Sequence, residues 1–150
     1  MEMKNSGKET IVMKKDVIVK ITGREYGVCE QEQDEQEVKG SFYNKNGKDF
    51  ILYDVIEGDE MIHTILKIGD EQIEIIKNSI AGRITMVFQK GEWYTTLYHT
   101  VAGALEMKFY TKEMTISSSD SSISVYLLYD IFMNETGIGT RQMQIQIQDE

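Results

Sequence analysis

The stretch Ser122-Ile-Ser-Val-Tyr-Leu-Leu-Tyr-Asp-Ile-Phe-Met133, followed by Asn134-Glu-Thr-Gly-Ile-Gly139 and Thr140-Arg-Gln-Met-Gln-Ile-Gln-Ile-Gln148, decides the fold. In the last limb Met143, Ile145 and Ile147 alternate with Gln142, Gln144, Gln146 and Gln148. Strand side chains point to opposite faces in turn, so this limb has one oily face and one wet face. The whole reads as a long closing β-hairpin with a turn over Asn134–Gly139. Its apolar face needs a cover.

Working outward, the rest of the chain repeats the theme. Proline is absent, so turns rest on Gly, Asn, Asp and Ser. Strands are expected over about 11–26, 37–43, 49–56, 61–68, 71–77, 83–89, 93–101 and 104–116, ahead of the closing hairpin. Asn44-Lys45-Asn46-Gly47 is a strong hairpin signal, since Asn and Gly tolerate positive φ. Gly23 is expected to bend the first strand. Residues 1–9 read as a frayed end, and Gly27–Gln36 as an acidic loop with room for a short helix. No apolar period of 3.6 residues outlasts a turn or two, so no long helix is available to cover the sheet. Antiparallel neighbours joined by short turns leave two edges, and edges invite aggregation. Closure removes the edges and covers the oily face together. The expected fold is all-β: a single antiparallel barrel of about eight to ten strands, with residues 1–150 as one domain. A two-sheet sandwich is the structural alternative.

Composition sets bounds on function. The net charge is −9, which repels phosphate and argues against a nucleic-acid partner. Residues 1–24 carry a local +3 and residues 25–37 a local −6, either paired or forming two solvated patches. Lys4, Lys8, Lys14 and Lys15 interrupt any signal-peptide core, and no apolar run approaches the roughly 20 residues that span a bilayer. The expectation is a cytoplasmic protein without a membrane partner. Cys29 is alone, so no intrachain disulfide forms, and its acidic neighbours do not favour a reactive thiolate.

The run Thr64-Ile-Leu-Lys-Ile-Gly-Asp-Glu71, then Thr85-Met-Val-Phe88 with the Gly91 turn, Tyr98-His-Thr100 with Gly103, Leu127-Leu-Tyr-Asp-Ile131 and Gln144-Ile-Gln-Ile147 resembles the YwiB-like family of bacterial proteins. The resemblance runs over about residues 10–148 and implies a calycin-like, lipocalin-like β-barrel. It implies no catalytic residues. Two positions depart from the family pattern. Val101 stands in place of a proline, and Lys77 in place of an arginine, which weakens any anion role there because Lys is a point charge.

His63 and His99 lack the spacing of a metal site, and no metal or other cofactor is expected. Gly137-Ile138-Gly139 is a hairpin turn, not a phosphate cradle. The seventh strand is more informative. Tyr94, Thr96, Tyr98 and Thr100 share one face, and Trp93, Thr95, Leu97, His99 and Val101 the other. Periodicity leaves open which face looks inward. With the tyrosines inward, hydroxyl-lined walls orient a small ligand. With Trp93 inward, the tyrosines form a surface for a partner or a second copy. Met86, Met107, Met133 and Met143 either shape an adaptable pocket or simply fill gaps. The candidate ligand-binding residues are Tyr53, Arg83, Tyr94, Tyr98, Tyr129 and Arg141, with no catalytic assignment. The expected function is a non-enzymatic small-molecule-binding barrel. The alternative is a protein-interaction or homodimerisation module using a strand edge or the Tyr94/Tyr98 face. An enzyme using Arg83 or Arg141 with carboxylates ranks last.

Overall fold

The computed structural model describes the backbone of residues 3–5, 9–26 and 32–150, and the side chains of residues 14–26 and 34–150. Cys29 lies outside the described residues. Eleven strands run in chain order: β1 (Met3–Asn5), β2 (Glu9–Tyr26), β3 (Glu32–Lys45), β4 (Lys48–Glu57), β5 (Glu60–Ile68), β6 (Ile73–Ser79), β7 (Gly82–Phe88), β8 (Trp93–Thr100), β9 (Gly103–Ser118), β10 (Ser122–Met133) and β11 (Thr136–Asp149). They form one antiparallel sheet in the order β7-β6-β5-β4-β3-β2-β11-β10-β9-β8, with β1 paired onto β2. The sheet curls into a nearly closed barrel of ten strands, and no helix occurs among the described residues.

Two junctions differ in kind. β2 and β11, from opposite ends of the chain, form a full ladder that pairs Val19 with Ile147 and Ile21 with Ile145. β7 and β8 are the sheet's margins, although only a short turn separates them in sequence. That turn is tied to β9 by Gly91 N–H donating to Thr111 O at 2.8 Å and Thr111 N–H donating to Glu92 O at 3.2 Å. Beneath it the rings of Phe88, Phe109 and Tyr129 meet, with Phe88 and Tyr129 centroids 4.7 Å apart. The seam is therefore zipped by aromatic packing at the β7–β8 turn.

The core follows from two-residue alternation. Met143, Ile145 and Ile147 are 6%, 0% and 2% exposed, and the intervening glutamines face outward. Val17 and Val19, Ile51, Tyr53 and Val55, and Ile62, Leu66 and Ile68 all turn in. These residues share one cluster with Ile73, Phe88, Phe109 and Leu127. Aliphatic side chains, with Phe88 and Phe109 under the β7–β8 turn, fill the end of the barrel that carries the Asn46–Gly47, Gly69–Gln72 and Gln89–Glu92 turns. The opposite end has a different lining.

Several local expectations change. Residues 32–36 are strand rather than loop or helix, and residues 27–31 lie outside the described residues. Met3–Asn5 is not frayed but pairs with Glu9–Ile11. The closing hairpin turns on two residues, Asn134 and Glu135, with φ of 47° and 69°. Gly137 and Gly139 already belong to β11, where a bulge shifts the register opposite Ile131 and Phe132.

Candidate functional site: a charged mouth on an apolar barrel

At the end away from the aliphatic plug, charged residues continue the inward phase of four strands. On β11 Arg141 follows the phase of Met143, Ile145 and Ile147. On β2 Glu25 follows Val19, Ile21 and Gly23. On β4 Glu57 follows Ile51, Tyr53 and Val55, and on β6 Lys77 follows Ile73 and Ile75. Cross-strand register then brings them together: Arg141 lies opposite Tyr129 on one side and Glu25 on the other, and Gly23 lies opposite Asp34.

Arg141 is the hub. Its Nη1 is 2.9 Å from Glu25 Oε1, and its Nη2 is 3.4 Å from Asp34 Oδ1. The guanidinium lies across Gly23, where a Cβ would collide with it. Gly23 thus serves as the hole for Arg141. Burial works against the Arg141 charge, but Tyr129, Asp34 and Glu25 outweigh it and hold the guanidinium above its ordinary pKa. Burial pushes the Tyr129 hydroxyl up to about 12, opposed by the adjacent Arg141 and reinforced by Glu25 and Asp34. Burial, with Glu57 adding to it, also lifts the Tyr53 hydroxyl far above its usual range. Across the mouth Lys77 Nζ meets Glu57 Oε2 at 2.9 Å. Gln36 is pinned to β4, donating to Ile56 O at 3.0 Å and accepting from Ile56 N–H at 3.2 Å.

These groups rim a cavity of about 700 Å³. One wall, from β2, β3, β4 and β6, is polar. The other, from β7 and β9–β11, is apolar: Met86, Met107, Phe109, Ile131 and Met143, with Tyr129 between them. A deeper recess of about 60 Å³ leads inward past Lys77 and Arg141 to Tyr53 and Thr64. Thr64 is 3% exposed, and its Oγ1 has no hydrogen-bond partner among the described residues. A buried hydroxyl left unpaired is costly.

The six candidate residues divide. Tyr53, Tyr129 and Arg141 converge on the cavity and its recess. Arg83 and Tyr98 instead flank an adjoining niche of about 90 Å³ between β7 and β8, which shares Glu57 and Lys77 with the rim of the cavity. Tyr94 turns inward and packs against the core cluster. The open question of β8 is therefore settled: its tyrosine face looks inward, and Trp93 packs outside against Tyr110 and Phe132 in tilted contacts at 5.0 and 5.3 Å. His99 is exposed on that outer face. His63 lies on the outside of β5, 2.7 Å from Asp54. Glu25, Asp34, Glu57, Thr64 and Lys77 escaped selection as site residues. For Glu25, Glu57, Thr64 and Lys77 the signal is the two-residue phase they share with the apolar positions of their own strands, whereas Asp34 lies in a segment without such alternation.

Among the described residues no helix is long and apolar enough to cross a membrane. No curated protein sequence matches the chain. The fold is similar to that in the crystal structure of YwiB protein from Bacillus subtilis, with a TM-score of 0.83 over 93% of this chain and 95% of that one, at 18% identity. The family model described as Domain of unknown function (DUF1934) matches residues 19–145. Most of the barrel circuit falls inside that match, and the chain belongs to this YwiB-like family.

Proposed function

We propose that the protein binds a small molecule in the mouth of its barrel and performs no chemistry on it. The cavity of about 700 Å³ carries this reading. Ligand pockets run to roughly 300–1,000 Å³ and combine apolar walls with a few convergent polar groups. Both features meet here, on strands rather than on loops, so the polar groups are held in place before a ligand arrives. His63 lies on the outside of β5, and His99 lines the niche beside Arg83 and Tyr98 rather than the cavity itself. Titration with the neutral fluorophore N-phenyl-1-naphthylamine tests the reading. Saturable enhancement at about one site per chain is expected, and Met107→Trp with Met143→Trp, which crowd the apolar wall from two strands, weaken it. Enhancement that does not saturate, or that neither substitution alters, rejects it.

A second reading is association through the outside of β8. Trp93 and Leu97 are 55% and 54% exposed there, on a marginal strand. It does not use the Tyr94/Tyr98 face as a unit, because Tyr94 packs inward and only Tyr98 is 40% exposed. Light scattering decides it: a dimer that Trp93→Ser converts to monomer supports it, and a monomeric wild type does not. A cytoplasmic setting is part of the same proposal, supported by the lone cysteine.

A further inference from the structure

Resting on the binding reading above, we propose that the mouth selects an amphipathic amine, a molecule with a cationic nitrogen and an apolar body, over a fatty acid or other amphipathic anion. The charge balance of the site points that way. Three carboxylates, Glu25, Asp34 and Glu57, face two cations, Arg141 and Lys77. Both cations are already engaged: Lys77 with Glu57 at 2.9 Å, and Arg141 with Glu25 at 2.9 Å and Asp34 at 3.4 Å. An anionic head must break one of these pairs and enter a net negative rim. A cationic head need break none, because an ionised carboxylate accepts about four hydrogen bonds and retains capacity after one ion pair. The whole-molecule charge of −9 acts in the same direction.

Thr64 is the second, independent observation. Its hydroxyl oxygen is buried and unpartnered, and the residue lines the inner recess. On the neighbouring strand Lys77 lies directly opposite it, and Lys77 pairs with Glu57. Asp34 and Glu57 line the same recess as Thr64, and one ammonium group with several N–H donors can satisfy a hydroxyl oxygen and a carboxylate together. The recess of about 60 Å³ admits a head group of a few atoms and no more. The body of such a ligand then lies along Met86, Met107 and Met143. Their flexible thioethers conform to an unbranched or irregular chain.

Displacement of N-phenyl-1-naphthylamine from the full chain tests this, with dodecylamine, dodecanol and dodecanoate as competitors at pH 7 and below their micelle thresholds. Dodecylammonium is expected to bind roughly tenfold or more tightly than dodecanoate, a difference of about 1.4 kcal/mol. Glu57→Gln and Thr64→Val should each cut that preference by about threefold. Glu71→Gln makes the same charge change at the far end of the barrel and should leave it intact, which separates the site from general attraction to an acidic surface. Equal binding, tighter dodecanoate, or a preference that Glu71→Gln reduces as much as Glu57→Gln overturns the proposal while the cavity reading stands. Failure of the fluorophore itself to bind removes both.

Discussion

Tyr129 shows how one side chain joins the core to the mouth. Its ring packs between Phe88 and Phe109, and its hydroxyl end lies beside Arg141. Burial holds its proton to about pH 12, whereas in the unfolded chain it leaves near pH 10. The folded state thus binds the proton more tightly. The associated stability is fully present below pH 10 and is lost as pH rises from 10 through 12. Two units correspond to about 2–3 kcal/mol. Tyr53, lifted in the same direction, adds to the loss. Urea denaturation from pH 9 to 12 should show stability falling steeply above pH 10, and Tyr129→Phe should flatten that fall measurably. An unchanged slope in the variant would mean that Tyr129 does not carry the linkage. At this scale the sequence was partly readable. Arg141 was among the candidate ligand-binding residues, and the structure shows it continuing the Met143-Ile145-Ile147 phase at the mouthward end. Asp34 was harder, because an acidic segment with no apolar alternation looks like loop until its partner strand is known.

The hairpin of β10 and β11 shows what determines an element's limits. Alternation marks the strands, but the turn is set by the register of twelve cross-strand pairs. That register forces the reversal onto Asn134 and Glu135, both at positive φ. Two-residue turns of this kind match the twist of the strands, and Asn suits the first position. Glu at the second position is strained, since a side chain there crowds the backbone. Glu135→Gly should therefore stabilise the protein by about 0.5–1 kcal/mol, after the extra freedom that glycine gives the unfolded chain. Differential scanning calorimetry should show a rise of about 1–3 °C, and a fall in Tm would contradict the account. The glycines two and four residues beyond drew the eye to a longer turn, although they serve the bulge. The same limit applies to β3. Its start in the acidic segment is fixed by pairing of Asp34 with Gly23 and Gln36 with Ile21, which no local pattern announces.

On the scale of the whole molecule, closure was legible and the place of closure was not. The lack of any helix to cover an oily sheet demanded that the sheet cover itself. Nothing in a single strand revealed that the margins are β7 and β8, held by a few tie points and an aromatic cluster instead of a ladder. Local opening draws on the least bonded elements. Amide hydrogen exchange should be fastest along the facing edges of β7 and β8 at their mouth ends and slowest in β2, β10 and β11. Uniform protection across the ten strands would show that the seam is as secure as any other junction. The cavity, too, is a property of the closed molecule, since its polar and apolar walls come from strands far apart in the chain.

The ladder between β2 and β11 has a bearing on how the protein is made. Synthesis delivers β2 long before its lasting neighbour β11, so the growing chain carries a half-finished curl with valine and isoleucine on show until β11 emerges. Two meanders, one ending at Phe88 and one beginning at Trp93, can each take shape as they appear, yet nothing joins them until β11 arrives as the stitch. Chains cut short before residue 141 would lack both that stitch and the guanidinium that gathers the rim, and would show the bare apolar strand faces that make partly folded chains aggregate.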